Sequence, residues 1–165
     1  MYAPKLYQYY CWVLKRLFQH HPDLVHNFDN SIFPTVTFNC GPNAITFSHL
    51  DHLNLSHGFC GITCGGTFDH TLGGHIHMEQ LKLYIQFPSA ASMLIPSGCL
   101  HHGNTPIQRG ETRHSITQYA AGGSSDGSPL KAEFDGTPGS RWEWALGLFS
   151  KHDELEVDRA AAFDK

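Results

Sequence analysis

The sequence predicts a mainly β protein with flanking helices, in the α+β class. Short β-rich runs fill the middle of the chain, at about residues 32–121, and glycine and proline separate them. Stretches with helical spacing of apolar residues lie on both sides of this region. Many short strands bounded by turn residues are typical of a β-sandwich or β-barrel. With 165 residues, of which 41% are hydrophobic, the chain suits a single domain, residues 1–165, with one core.

The first predicted element is an amphipathic helix at about residues 4–20. Apolar side chains recur there at the spacing of one helix face, at Leu6, Tyr10, Val13, Leu14 and Leu17. Pro4 stands near the start and Pro22 just beyond the end. Proline is favoured at both of these positions, because it begins a helix easily and cannot continue one. We therefore expect a helix of about four turns.

The β-rich region contains six runs, which are FPTVTFN, AITFS, FCGITC, KLYIQF, SMLIP and HSITQYA. After this core of about residues 32–121, the polar and glycine-rich residues at about 122–139 predict a flexible connection. An apolar stripe at Ala145, Leu146 and Phe149 then predicts a C-terminal helix at about residues 140–155. We expect the tail from Val157 to Lys165 to be frayed.

The distribution of charge argues against tight binding of nucleic acid by this chain alone. The formal net charge is -4, and no lysine or arginine occurs between Leu17 and Leu81. Proteins that bind duplex DNA usually carry a basic stripe. We therefore expect DNA binding, if the substrate is DNA, to be weak or to depend on a partner.

The sequence also lacks two signals that would direct the protein to a membrane or out of the cell. No apolar run reaches the length needed to span a membrane. The N terminus lacks the basic, apolar and small-residue pattern of a signal peptide. We therefore expect an intracellular protein with no membrane partner, located in the nucleus if its substrate is DNA.

His49 and Asp51 predict one side of a metal site. One residue separates them at the end of a β-rich run, so on a strand both side chains would leave the same face. Two histidines and one carboxylate leave three adjacent positions open on an octahedral iron, as in non-haem Fe(II) oxygenases. The third ligand would be His101 or His102, which follow the run SMLIP and a turn. Strand alternation alone does not choose between these two.

Arg113 and Ser115 predict a binding site for an anionic co-substrate. They stand at positions i and i+2 at the start of the last β-rich run, so they would share one face of a strand. A guanidinium group with a neighbouring hydroxyl suits the far carboxylate of 2-oxoglutarate, whose 2-oxo acid end would chelate Fe(II). The charges of Fe(II), Asp51, 2-oxoglutarate and Arg113 would then cancel, as a buried site requires.

These motifs lie within longer segments that resemble a known family. The segments cover nearly the whole chain and are APKLYQYY, HHPDL, FPTVTFNCGPNAITFSHLD, GGTFDHTLGGHIHMEQLKLYIQFP, LIPSGCLHHGNTPIQRGETRHSITQYAAGG and RWEWALGLFSKHDEL. They resemble the TET/JBP-like Fe(II)- and 2-oxoglutarate-dependent dioxygenases, most closely the expanded members of mushroom-type fungi. The resemblance implies a double-stranded β-helix core of the jelly-roll or cupin-like kind, with an N-terminal and a C-terminal helix packed outside it.

The resemblance also implies the roles of individual residues. It implies three iron ligands, which are His49, Asp51 and His102. It makes Arg113 the residue that binds the far carboxylate of 2-oxoglutarate, and we infer that Ser115 assists Arg113 and that Asn39 lines the pocket. The reaction would use Fe(II), 2-oxoglutarate and O2 to oxidise a substrate C–H bond, and the implied substrate is 5-methylcytosine in DNA.

Three positions depart from the family pattern. Leu50 stands where relatives usually have a small polar residue, Asn43 where many have a basic one, and His101 where arginine is common. The last two changes remove positive charge near the expected pocket mouth, which weakens the inference of a DNA substrate. Two alternatives therefore stay open: a catalytically silent metal-binding module of the same fold, and a cupin-like metalloenzyme that does not use 2-oxoglutarate.

Overall fold

A computed structural model describes residues 2–26, 28–122 and 138–163 of the chain. The chain forms two compact units. One unit is helical and contains the described residues of Met1–Pro34 and Ser124–Lys165, and the other is rich in strands and spans Thr35–Gly123. Antiparallel sheets together with helices confirm the prediction of a β-rich α+β protein. The assignment of both units to one dioxygenase-like domain stays a prediction.

The described part of the helical unit contains three helices, which are α1 (Pro4–His20), α2 (Pro138–Gly147) and α3 (Leu155–Phe163). Helix α1 has the predicted bounds, begins with proline and buries Leu6, Tyr10 and Leu14. It packs against α3, where Lys5 Nζ lies 3.1 Å from a carboxylate oxygen of both Glu154 and Asp158. No described helix combines the length and the apolar character that crossing a membrane would require.

The prediction of one C-terminal helix at about residues 140–155 was wrong. Helix α2 ends at Gly147, where the amide of Leu148 donates to the carbonyl of Ala145 in a tight last turn. A second helix, α3, then includes most of the tail that was expected to be frayed. This tail contacts α1, where Lys5 pairs with Asp158 and the side-chain amide of Gln8 donates to the carbonyl of Ala161. Local sequence does not reveal such long-range contacts. The predicted connection at about 122–139 lies almost entirely outside the described residues.

The β-rich unit contains seven strands in its described residues. They are β1 (Thr35–Asn39), β2 (Cys60–Thr67), β3 (Ile76–Met78), β4 (Leu83–Ile85), β5 (Ser92–Ile95), β6 (His102–Asn104) and β7 (Thr112–Tyr119). All pairings between them are antiparallel, and they form one sheet in the order β1-β7-β2-β5 and another in the order β4-β3-β6. Side chains from both sheets form the hydrophobic core of the unit. Its buried members are Cys60, Ile62, Cys64, Ile76, Met78, Phe87 and Ile95.

Five of the six predicted β-rich runs contain a strand, but AITFS does not. Its residues Ala44–Ser48 lie outside every strand, between isolated bridges at Asn43 and His49. The reason is that this segment contacts two different partners in turn, Arg113 and then His102. Strands β3 and β6 were not among the predicted runs, because their sequences IHM and HGN contain few of the β-branched and aromatic residues that mark a strand.

Alternation along β7 determines which of its side chains face inward. Arg113 and Ser115 are buried, whereas Thr112, His114 and Ile116 between and beside them are exposed. The prediction that Arg113 and Ser115 share one face is therefore confirmed. Both residues pair with β2, at Gly66 and Cys64 respectively, so they lie in the middle of a sheet.

We predict that Gly66→Ala destabilises the protein more than Gly110→Ala does. Both glycines have positive φ, 122° at Gly66 and 89° at Gly110, which costs a residue with a side chain about 1–2 kcal/mol. A Cβ at Gly66 would also lie 2.2 Å from the carbonyl oxygen of Thr112, whereas a Cβ at Gly110 would meet nothing within 4 Å. Urea unfolding of the two variants measures the difference, and equal losses would contradict this account.

Candidate functional site

The β-rich unit contains a cavity of about 600 Å³ that is partly open to solvent. This volume is in the range of small-molecule sites, about 300–1,000 Å³. The lining includes all six residues that the sequence marked as site residues: Asn39, His49, Asp51, His102, Arg113 and Ser115. Histidines aside, Asp51 and Arg113 are the lining residues with ionisable charge, one of each sign.

His49, Asp51 and His102 form one cluster of donor atoms. The Nε2 atom of His49 lies 3.2 Å from Oδ1 of Asp51, and Nε2 of His102 lies 4.0 Å from Oδ2. One donor atom from each residue lies within 4.8 Å of the other two, so the three residues have the spacing to hold a metal ion. Among the described residues, no other group of three histidine, cysteine or acidic side chains meets this condition.

The backbone brings the two histidines together. The amide of His49 donates to the carbonyl of His102 and the amide of His102 donates back to that of His49, both at 3.0 Å. This is a bridge of the antiparallel type, and it sets the two ring centroids 4.4 Å apart. It brings His102, which is 5% exposed and faces Asp51, into the cluster, whereas His101 is not part of the cluster.

Backbone carbonyls fix the tautomer of both rings. Nδ1 of His49 lies 2.9 Å from the carbonyl oxygen of Phe47, and Nδ1 of His102 lies 2.9 Å from that of Leu100. A carbonyl oxygen only accepts, so each Nδ1 carries the proton and donates it. In the neutral ring, Nε2 is then left with its lone pair directed at the cluster. This is the usual arrangement for a histidine that binds a metal.

His102 is held in the neutral form that metal binding needs. Burial lowers the pKa of its ring, and the neighbouring rings of His49 and His77 lower it further. The hydrogen bond to Leu100 and the charge of Asp51 oppose this shift but do not reverse it. At neutral pH, the ring therefore offers a lone pair without first losing a proton.

Arg113 is a buried cation that lacks an anionic partner. Its side chain is 2% exposed, and Nη1 donates to the carbonyl oxygen of Ala44 at 2.9 Å. Its Nε atom is buried without a hydrogen-bond partner, and no carboxylate of the described residues forms an ion pair with it. Burying an unpaired charge is costly. The arrangement therefore favours binding of an anion in the cavity.

Two hydrogen-bonding side chains lie beside Arg113. The amide nitrogen of Asn39 donates to Oγ of Ser115 at 3.1 Å, across the paired strands β1 and β7. Ser115 is buried, and both residues line the cavity. The structure thus brings the predicted Asn39, Arg113 and Ser115 into one part of the same cavity as the metal-binding cluster.

Sequence reasoning missed three polar residues that organise the cavity. Asn104 accepts a hydrogen bond from the amide of Thr46 and donates to the carbonyl of Ala44, so it holds the segment that also contacts Arg113. Asn54 donates to Asp51 and to the buried Ser97. The spacing of Asn54 three residues after Asp51 could have suggested a turn contact. Nothing local marks Ser97 or Asn104, whose roles depend on distant partners.

Comparison with known proteins gives a likeness of fold. No protein-family model and no curated protein matches the sequence. The structure NgTET1 in complex with 5mC DNA matches with a TM-score of 0.52 and 16% identity, over 75% of this chain and 50% of that one. The 2OG complex of the viral collagen prolyl hydroxylase vCPH from Paramecium Bursaria Chlorella virus-1 matches with a TM-score of 0.36 and 15% identity, over 66% and 71%.

The likeness to NgTET1 extends over three quarters of this chain, and at 16% identity it shows a shared fold alone. The chain spans half the length of the NgTET1 chain that it matches. A function for this chain therefore has to be argued from the geometry of the His-Asp-His cluster and the cavity, and not from the likeness of fold.

We predict that acidification destabilises the metal-free protein. Burial lowers the pKa of both His57 and His102 below the ordinary value of 6.5. In the range between the folded and the ordinary values, the unfolded chain binds more protons than the folded one. Stability is therefore complete above about pH 6.5 and falls as the pH drops, by at most about 1.4 kcal/mol per pH unit for each histidine.

Urea unfolding in the presence of a chelator, at several pH values from about 7.5 to 5.5, measures this effect. His57→Gln should reduce the slope of stability against pH, because it removes one of the two groups. His52→Gln, a change at an exposed histidine of the same unit, is the control. An unaltered slope in His57→Gln would show that burial of this ring does not contribute.

Proposed function

We propose that this protein is an Fe(II)- and 2-oxoglutarate-dependent dioxygenase that oxidises a C–H bond of its substrate. One observation carries the proposal: a His-Asp-His cluster and a buried, unpaired arginine line the same cavity. A metal cluster alone would suit many enzymes. The additional cation, inside a cavity of small-molecule size, supports a co-substrate that has one end for the metal and an anionic end for Arg113.

The donor set fits Fe(II). Two neutral imidazoles and one carboxylate are the ligands of non-haem iron oxygenases, and they leave positions open for co-substrates. His49, Asp51 and His102 would hold the metal through Nε2, a carboxylate oxygen and Nε2. The chemistry that such a centre supplies is the oxidative decarboxylation of 2-oxoglutarate to succinate and CO2, with one oxygen atom of O2 entering the substrate.

The chain's own residues would bind and orient the co-substrate. Arg113 would pair with the far carboxylate of 2-oxoglutarate, which gives its buried guanidinium the counter-charge that it lacks. Ser115 would add a hydroxyl donor, and Asn39 fixes the Ser115 side chain at 3.1 Å. The carbonyl of Ala44 holds Nη1 at 2.9 Å, so the guanidinium has a fixed direction before the ligand arrives.

The same proposal includes a finer assignment of the fold. We assign the two antiparallel sheets of the β-rich unit to a double-stranded β-helix, the core that the sequence resemblance implies. The fold likeness to NgTET1 supports this assignment. We also propose membership of the TET/JBP-like family and of its fungal branch, on the resemblance of the sequence segments.

5-methylcytosine in DNA is the substrate that we propose. The structure of NgTET1 with 5mC DNA shares the fold of this chain, and the sequence segments quoted above resemble the same family. The charge distribution limits how DNA would bind. The β-rich unit contains three basic residues, of which Arg113 is buried and neither Lys82 nor Arg109 lines the cavity. Binding would therefore be weak or need a partner, and a DNA substrate would place the protein in the nucleus.

We predict that the Fe(II)-loaded protein develops a visible charge-transfer band when it is titrated with 2-oxoglutarate in the absence of O2. Arg113→Ala should weaken 2-oxoglutarate binding by about thirtyfold or more, since losing one partner of a buried charge pair costs about 2 kcal/mol or more. Arg109→Ala, at an exposed arginine of the same unit, is the matched control and should bind like wild type.

The outcomes of this titration separate the alternatives. No band despite bound iron would overturn the dioxygenase proposal and favour the silent metal-binding module. Substrate oxidation that persists in Arg113→Ala without 2-oxoglutarate would favour the cupin-like metalloenzyme.

We further predict that His102→Ala abolishes succinate formation, because it removes one of three metal ligands. The variant should also lose stoichiometric Fe(II), measured by metal analysis after gel filtration. His101→Ala is the control at the adjacent residue, and it should keep both iron and turnover. Equal losses in the two variants would contradict the assignment of His102 as the ligand.

A further inference from the structure

We propose that Asn54 is a positioning residue that holds the Asp51 carboxylate so that only one of its oxygens is free for the metal. The inference rests on the proposed function, because it concerns the same metal cluster. Asn54 does not belong to the cluster itself, and its side chain acts through Asp51.

The hydrogen bonds of the Asn54 side chain define this role. Its Nδ2 donates to Oδ2 of Asp51 at 2.9 Å and to Oγ of Ser97 at 3.0 Å. A carboxylate only accepts hydrogen bonds, so the amide nitrogen and not the amide oxygen faces Asp51. Both amide protons are therefore used, one to hold the carboxylate and one to hold the amide itself in place.

The support behind Asn54 is rigid. Ser97 is 1% exposed, and its carbonyl accepts the backbone amide of Asp51 at 3.0 Å. The backbone of Asn54 bonds to the carbonyl of Asp51 and forms a bridge to Ala121. The turn between Asp51 and Asn54 is thus fixed to the segment around Ser97 and to the end of β7. A side chain that is fixed at both ends can determine the orientation of its partner.

The consequence for Asp51 is that its two oxygens differ. Oδ2 is occupied by the Asn54 amide, whereas Oδ1 lies 3.2 Å from Nε2 of His49. Oδ2 also lies 4.0 Å from Nε2 of His102, so both oxygens lie beside the cluster, and Oδ1 is the one that the Asn54 amide leaves free for the metal. If both oxygens bound the metal, they would take one of the positions that 2-oxoglutarate and O2 need. Asn54 would thus maintain both the affinity of the cluster and its open positions.

Cobalt(II) titration of the metal-free full chain tests this inference without turnover. Asn54→Leu removes both donors at similar side-chain size, and Asn54→Ala is a second variant that avoids the branched side chain. We expect about a 10–100-fold loss of Co(II) affinity, as for other residues that orient metal ligands. We also expect the visible Co(II) spectrum at saturating metal to change, because the carboxylate can reorient.

Thr63→Val is the matched control. It removes a side-chain hydrogen bond of the same unit, between the hydroxyls of Thr63 and Ser92 at 2.8 Å, at a position outside the cavity. It should leave Co(II) affinity and the saturated spectrum as in wild type. A purely structural role of Asn54 would give this same pattern, so that pattern in Asn54→Leu and Asn54→Ala would overturn the inference.

Different outcomes would contradict the positioning role of Asn54 and the proposed metal site. If wild type binds Co(II) and the Asn54 variants bind it equally well with the same spectrum, the positioning role is wrong and the dioxygenase proposal stands. If wild type itself binds no Co(II), the metal cluster is wrong, and both proposals fall together.

Discussion

Two backbone hydrogen bonds between His49 and His102 hold the candidate site together. Strand β6, which begins at His102, is an edge of the sheet β4-β3-β6, so its outer backbone groups need partners. The segment before Asp51 supplies them, since Thr46 and His49 accept from Asn104 and His102. The backbone contact that completes the sheet edge therefore also brings His49 and Asp51 next to His102. The cluster exists because the segment that covers the edge also carries a histidine and an aspartate.

Local pattern could predict part of this site. Alternation along one strand requires that Arg113 and Ser115 share a face, and it holds wherever the strand lies in the fold. The choice between His101 and His102 is different, because it depends on which residue pairs with His49. That register is set by contacts between distant parts of the chain. The family resemblance supplied the choice, and the structure gives its physical reason.

The C-terminal helix and the tail were predicted incorrectly for the same reason, because they too depend on contacts between distant parts of the chain. The predicted C-terminal helix was extended through Gly147 because apolar spacing continues beyond it, and the following tail was expected to be frayed as a chain end. A lysine on α1 binds Glu154, which lies before that tail, and Asp158 within it. Similarly, Ser97 has no local signal of its role, which comes from hydrogen bonds to Asn54 and Asp51. The periodicity of a sequence predicts local helices and strands well, but it does not predict which distant residues contact each other.

The burial of Arg113 lowers the folding stability of the ligand-free protein and favours the binding of an anionic ligand. A guanidinium that is 2% exposed, with an unpartnered Nε, costs folding free energy in the ligand-free protein. The carbonyl of Ala44 offsets part of this cost, and the Cys64 side chain also interacts with the guanidinium. An acidic side chain in the same place would offset more of it and would stabilise the fold, but it would also neutralise the charge that an anionic ligand needs. The arrangement therefore stabilises a liganded state at the expense of the free one.

The segment from Pro42 to Asn54 explains how one irregular stretch serves both ends of the cavity. Its first part forms a parallel bridge to β7, where Pro42 and Ala44 bond the backbone of Arg113. Its later part pairs antiparallel with β6 at His102. A regular strand keeps one partner on each side and continues in one direction, so it could not change from one sheet to the other in so few residues. The run AITFS is therefore not a regular strand. It connects the part of the cavity at Arg113 to the part at His102.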